Sequence, residues 1–300
     1  GIINIALEGI MIVGALLSCL FLRAMDQIGW GAAHPQLAVF CAILVAALSG
    51  AVFSMLLAFA SVHLKANQTI GGTALNMLAP ALVLFLIRVI VNQNNMTLLS
   101  GDSATWFMIK KTMLGFAKND KLNFFQETFL NKVYLSTYIC IIIFIVLSIV
   151  LYKTRFGLRL RACGENPQAA ASLGINVIKM RYAGVLLSGA LGAIGGMAYI
   201  VPPVQTWNFE VGVAGAGFLA LAVMIFGQWK PFHIFGAAMF FAVFKSLANI
   251  ADSTFLAQFH WSSNIYNMMP FVASMVILAF TSKNSMAPKA EGIPYDKGSR

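Results

Sequence analysis

Eight stretches of 17 to 25 residues, almost free of charge, follow one another along this chain and are separated by polar or basic segments. They lie at about 5–24, 36–60, 71–91, 133–152, 181–201, 212–228, 232–250 and 265–281. A bilayer core about 30 Å thick takes roughly 20 apolar residues per helical crossing. The pattern therefore predicts an all-α, polytopic transmembrane bundle of about eight spans. The sixth stretch, VGVAGAGFLALAVMIFG, is short and rich in glycine.

Composition agrees. Charged residues make up 10% of the 300 positions, against roughly 25% in a soluble domain. Mean hydropathy is +0.81 and 59% of residues are hydrophobic, more than a soluble core of this size can hide. The net charge of +10 does not point to nucleic acid, because the basic residues lie in loops between apolar runs rather than on an aromatic-studded polar domain. Loop 153–180 holds Lys153, Arg155, Arg159, Arg161 and Lys179 against Glu165 alone, and the tail 282–300 holds Lys283, Lys289, Lys297 and Arg300. Four spans separate them, so both are expected in the cytoplasm.

The same parity places loop 92–132 outside. Its five lysines, Lys110, Lys111, Lys118, Lys121 and Lys132, run against that assignment and are offset by Asp102, Asp120 and Glu127. The loop is too long for a simple connector. Its segment NNMTLLSGDSATWFMIK is read either as an amphipathic element at the outer surface or as a solvated loop.

Cys19, Cys41, Cys140 and Cys163 form no CxxC pair, so neither a disulfide framework nor a zinc site is expected. Neither Gly-rich stretch matches a nucleotide-binding motif, and no HExxH, paired intramembrane carboxylates or Ser–His arrangement is present. Nothing suggests an enzyme, and no metal site is expected.

Polar residues inside apolar stretches mark the candidate path. Asn4 and Glu8 are four apart and share one helical face. A carboxylate at membrane depth needs a cavity or a partner. Two readings stay open: this face lines a transport path, or Glu8 is structural and bonds backbone or an arginine. Asn76, one turn past Gly72, can turn its amide inward. GVAGAGF, from Gly212 to Phe218, suits a broken helix of the kind that lines substrate paths, or a close-packed one. Arg88 and Lys245 are expected to snorkel. Small residues at Gly14, Ala15 and Ser18, at Ser49, Gly50 and Ser54, and at Gly189, Gly192, Gly195 and Gly196 predict tight helix–helix approach.

Residues 160–175, LRACGENPQAAASLGI, interrupt the apolar chain. Asn166 suits a helix cap, Pro167 the first helical position, and Gly174 the stop. The expected short helix offers small side chains and the Glu165 carboxylate to a partner's groove, or else merely caps a loop.

The stretch GLRLRACGENPQAAASLGI resembles the coupling segment of permease subunits of bacterial ABC importers, in the branch that includes ribose-type, branched-chain amino acid and nucleoside permeases. GIINIALEGIMIVGA at 1–15 resembles the N-terminal signature of simple-sugar and nucleoside permeases. HLKANQTIGGTALNMLA at 63–79, GAGFLALAVMIFGQWKP at 215–231 and GIPYDKGSR at 292–300 extend the likeness over nearly the whole chain.

The resemblance implies one permease domain over 1–300, in a bacterial plasma membrane, with one or more further spans before the NIALEG motif. It implies a second permease subunit, cytoplasmic ABC ATPases that use ATP and Mg, and an extracytoplasmic substrate-binding lipoprotein. No cofactor is expected on this chain. Arg161, Gly164, Glu165, Asn166, Pro167, Ala170 and Gly174 are the expected coupling residues. Asn4, Glu8, Asn76, Gly215 and Phe218 are the expected substrate path. Nucleosides are placed above simple sugars such as ribose or galactose as the solute. An ion-coupled secondary transporter is the competing class.

Overall fold

The structure is a computed structural model. It describes residues 1–92, 95–97, 106–109, 123, 129, 133–202, 206–209, 212–250, 265, 268–269, 271–273, 275 and 286–296. Helices α1 (Leu7–Gln27), α2 (Trp30–Ala33), α3 (Pro35–Val62) and α4 (Gln68–Ile90) lead to strands β1 (Asn95–Thr97), β2 (Met108–Ile109) and β3 (Val133–Tyr134). There follow α5 (Leu135–Lys153), α6 (Arg155–Glu165), α7 (Pro167–Ser172), α8 (Val177–Ile200), β4 (Thr206–Asn208), α9 (Ala216–Phe226) and α10 (Pro231–Ile250).

Among the described residues, five helices are long and apolar enough to cross a membrane: α1, α3, α4, α5 and α8. The sequence predicts about eight spans, and the difference lies at the C-terminal end. The expected sixth span is realised as α9, whose 11 residues reach only about 16 Å. Its glycine-rich approach is a turn with positive φ at Gly212, Ala214 and Gly215, which ends any continuous helix. The expected seventh span, 232–250, forms α10 over Pro231–Ile250, 20 residues, whose apolar stretch is described from Pro231 to Leu247. The expected span at 265–281 lies mostly outside the described residues.

Capping chemistry fixes the helix starts at one end of the bundle. Asn67 Oδ1 accepts from the N–H groups of Thr69 and Ile70 at the start of α4. Thr154 does the same for Gly157 in α6, Asn166 for Ala169 in α7 and Asn176 for Lys179 in α8. Each satisfies a backbone donor that the first helical turn leaves free.

The bundle is organised around α1, which lies among α3, α4, α8 and α9. Glycine makes these crossings close. A Cβ on Gly14 would strike the backbone of Ala193 in α8, and one on Gly196 the backbone of Met11. Gly50 and Gly189 bring α3 and α8 together in the same way. In lipid the apolar surface of a helix gains little by leaving its surroundings, so backbone approach through small residues carries much of the packing.

At the other end, β1 pairs antiparallel with β4 and β2 with β3. Trp106 and Phe107 are buried there. In the described part of loop 92–132, residues 95–97 and 108–109 are short strands, and Trp106 and Phe107 pack on the bundle. Most of the segment read as an amphipathic element or a solvated loop lies outside the described residues. The tail expected at 282–300 is likewise no free extension where it is described: 286–296 lies across α6, α7 and α8. All four cysteines are free thiols.

Candidate functional site

The start of α1 gathers the polar residues that the sequence singles out. The Glu8 carboxylate is buried and accepts two backbone hydrogen bonds, Oε1 from Gly215 N–H at 2.9 Å and Oε2 from Gly217 N–H at 2.7 Å. These donors belong to the first turn of α9, where a carboxylate also meets the favourable end of the helix dipole. Gly217 permits the approach, since a Cβ there would collide with the Glu8 backbone. Asn76 in α4 clamps the other side of the same turn. Its Oδ1 accepts from Gly9 N–H at 2.8 Å, and its Nδ2 donates to the Ile5 carbonyl at 2.8 Å. Glu8, Asn76 and Gly215 therefore meet, and their polar atoms are taken up in holding α1, α4 and α9 together. Phe218 is 49% exposed and stands apart from them.

Asn4 differs. Its Nδ2 donates to Ser188 Oγ in α8 at 2.9 Å, while its buried Oδ1 has no partner among the described residues. Asn4 lines a cavity of about 180 Å3 with Ser188, Leu221, Met224, Trp229 and Glu291. A second cavity of about 560 Å3 adjoins it, sharing Gly184, Val185, Trp229 and Pro288, and is edged by Arg161, Arg181 and Lys230. Arg181 is 4% exposed; Nη1 donates to the Ile293 carbonyl at 3.0 Å, and Nε and Nη2 are without hydrogen-bond partners among the described residues. Burial pushes the Glu291 carboxyl above the ordinary carboxylate range.

Gln228 and Trp229 join α9 to α10 with φ of +52° and +56°. For bulky side chains this conformation costs about 1–3 kcal/mol each and is kept where the surroundings enforce it. Here the Met286 N–H donates to Gln228 Oε1 at 2.9 Å. Sequence reasoning singled out neither Ser188, Arg181 nor Trp229 as a site residue. Arg181 alone carried a signal, a cation at the start of an apolar span.

The expected coupling segment forms two helices rather than one. Glu165 is the last residue of α6, exposed, and Asn166 and Pro167 open α7. Gly174 has φ +80° and terminates the segment as expected. Arg161 stacks over the Tyr152 ring at 4.6 Å. The Gly164 carbonyl accepts from Ala290 N–H at 2.9 Å. Ala170, expected on the outward small-residue face, points the other way: it is 2% exposed and packs with Cys163 and Val177. The outward face carries Glu165, Gln168, Ala169, Ser172 and Leu173 instead.

Lines from the tail bind this segment to the bundle. Gln168 Nε2 donates to the Asp296 carbonyl at 2.8 Å, and the Asp296 carboxylate pairs with Lys65 at 3.1 Å. Lys245, in α10, donates to the hydroxyl of Tyr199 at the C-terminal end of α8 at 2.6 Å and lies 4.7 Å from that ring.

The chain is 38% identical to the nucleoside ABC transporter permease protein NupC of Lactococcus lactis subsp. cremoris (strain MG1363), covering 99% of this chain and 89% of the relative. It is 37% identical to the guanosine ABC transporter permease protein NupQ of Bacillus subtilis (strain 168), over 100% and 89%. A second Lactococcus lactis protein, the nucleoside ABC transporter permease protein NupB, is 24% identical over 82% of this chain and 65% of its own length. No solved structure matches. The family model described as branched-chain amino acid transport system / permease component matches residues 1–280, so this multi-pass chain of the bacterial plasma membrane belongs to that family of ABC transporter permeases.

Proposed function

We propose that this chain is the permease subunit of an ATP-driven importer of nucleosides. The observation that carries the reading is its similarity, over essentially its whole length, to two permeases named for nucleosides and guanosine. Two permease relatives in one organism, NupC and NupB, favour a heterodimer of homologous permeases over a homodimer. ATP and Mg belong to cytoplasmic ABC ATPases, and an extracytoplasmic lipoprotein delivers the solute. This chain performs no covalent step.

The geometry supports a mechanical role. ATP-driven closure of the ATPases bears on the outward face of α6 and α7, at Glu165, Ser172 and Leu173. Cys163, Ala170 and Val177 join that hairpin to the base of α8. Glycine contacts lock α8 to α1, and Glu8 ties α1 to α9. Rigid elements that share such contacts move together, and a bundle built this way alternates between outward and inward access. In this reading Asn4 faces the path, while Glu8, Asn76 and Gly215 hold the helices that form it.

The test is co-purification of the complex, reconstitution with its receptor, and ATPase and uptake assays against nucleosides, ribose, galactose and branched-chain amino acids. Stimulation by nucleosides is expected. Stimulation by a sugar alone would keep the mechanism and overturn the substrate. Uptake that follows an ion gradient, with no ATPase, would overturn both.

A further inference from the structure

We propose that tail residues 286–296 form a transmission strap, which carries movement of the coupling segment to the α9–α10 turn and the α3–α4 turn. The proposal rests on the ATP-driven reading above and adds how the push reaches helices that α6 and α7 do not adjoin in the chain. Those two helices continue directly only into α5 and α8. The tail joins them to the other turns of the basic end.

The strap is anchored along its whole described length. At its start the Met286 N–H donates to Gln228 Oε1, in the α9–α10 turn, at 2.9 Å. A turn follows, in which the Glu291 N–H donates to the Pro288 carbonyl at 2.9 Å. Inside that turn the buried Ala290 gives its N–H to the Gly164 carbonyl of α6, also at 2.9 Å. Arg181, at the base of α8, donates from Nη1 to the Ile293 carbonyl at 3.0 Å. Tyr295 packs against the cluster of Cys163, Ala170 and Val177. At the far end Asp296 holds Gln168 of α7 through its carbonyl and Lys65, in the α3–α4 turn, through its carboxylate.

Most of these anchors grip the main chain of a segment that has neither helix nor strand. Ordering irregular chain costs conformational entropy at every residue, and segments with few ties are the ones that move by themselves. Tied at this many points, the strap moves with the elements it touches. Its contact with Gln228 falls where the backbone is under strain. Gln228 and Trp229 hold φ of +52° and +56°, which bulky residues keep only while their surroundings enforce it. A shift of α6 and α7 therefore pulls on Gln228 through Ala290 and Met286, and on Lys65 through Asp296. The helices next to those turns, α9 and α4, are the ones that meet α1 at Glu8 and Asn76. His63 gives the α3–α4 turn a second tie, its Nδ1 lying 2.6 Å from the Tyr182 hydroxyl of α8. The strap thus matters most at Gln228.

The experiment uses the reconstituted permease–ATPase complex with its receptor. It reads ATP hydrolysed per nucleoside taken up, and hydrogen exchange with and without a non-hydrolysable ATP analogue. Gln228→Asn keeps an amide and a residue type that tolerates positive φ, but its side chain is one methylene too short for Met286. In the wild type the analogue should change exchange at 166–173 and at 226–230. In Gln228→Asn the first change should persist, the second should vanish, and ATP per nucleoside should rise severalfold. Asp296→Lys should raise it less, because His63 still ties the α3–α4 turn, and adding Lys65→Asp should bring it back. If Gln228→Asn does not fold, the exposed pair of Lys65 and Asp296 carries the test. A lower Tm with ATP per nucleoside and both exchange responses unchanged would make the strap merely structural. Loss of the co-purifying ATPase would make it a docking surface instead. Either result overturns the proposal and leaves the importer reading intact, whereas wild-type uptake without any ATPase would overturn that reading and the strap with it.

Discussion

Helices α1 and α5 are close in length and both are apolar enough to span a membrane, yet they occupy opposite situations. α1 buries 12 of its 21 residues, whereas α5 buries none of its 19, although α5 is the more apolar of the two. Around α5 the chief aromatic contacts described are those of Phe144 with Phe232 and Phe235 of α10, at 6.0 and 5.3 Å. Around α1 are glycine crossings and the polar knot of Glu8 and Asn76. In a membrane, greasiness places a helix in the lipid, while small and polar residues place it at the centre.

The sharpest way to break this contrast is Gly14→Leu. The new side chain would meet the α8 backbone at Ala193, with a cost at the top of the roughly 1–3 kcal/mol range for overpacking or beyond it. Loss of monodisperse permease on size-exclusion chromatography is expected. A well-behaved variant would show that α1 is not held so closely.

Glu8→Ala comes next. It strips the acceptors from the Gly215 and Gly217 N–H groups, costing about 3 kcal/mol. Faster hydrogen exchange at the start of α9 and a lower Tm should follow. Glu8→Gln retains one carbonyl oxygen and should fall between alanine and wild type. Equal exchange in all three would remove Glu8 from its role as a cap.

At the basic end, Asn166→Ala should cost about 1 kcal/mol and loosen 167–172 alone, as read by hydrogen exchange. Glu165→Lys, on the exposed terminus of α6, should leave the Tm unchanged but separate ATP hydrolysis from uptake. Normal coupling in that variant would take the contact with the ATPase away from Glu165.

The smallest effect belongs to α5. Ile142 and Ile145 are 59% and 51% exposed, and alanine at either should shift stability by no more than about 0.5 kcal/mol. A large loss on thermal unfolding of the isolated permease would mean that α5 is packed and would erase the contrast with α1.

The candidate site was partly legible before folding. Asn4, Glu8 and Asn76 stood out because polar groups are rare in apolar spans, and the structure brings all three to the start of α1. What they do there was not legible. Glu8 finds its partners 207 and 209 residues away, and Asn76 bonds backbone, which has no sequence signature. Ser188 and Trp229 were passed over because a serine among small residues and a tryptophan in a short inter-helix turn are unremarkable until the fold brings them to one cavity. At the coupling segment the caps Asn166 and Pro167 and the stop at Gly174 were readable, since capping is local. The inward turn of Ala170 depends on Val177 and on Tyr295 from the tail, and was misjudged.

The sequence by itself determined that the chain crosses a membrane, roughly where its helices begin, and that the basic clusters at 153–180 and 282–300 belong to one end. Those properties follow from local composition and from capping within one turn. Only the tertiary structure decided which helix is central, that the glycine-rich stretch is a half-length helix capped by Glu8, and that Asn4 is buried against Ser188 of α8. In lipid the hydrophobic effect no longer sorts inside from outside, so the arrangement rests on backbone approach and hydrogen bonds between residues far apart in the chain.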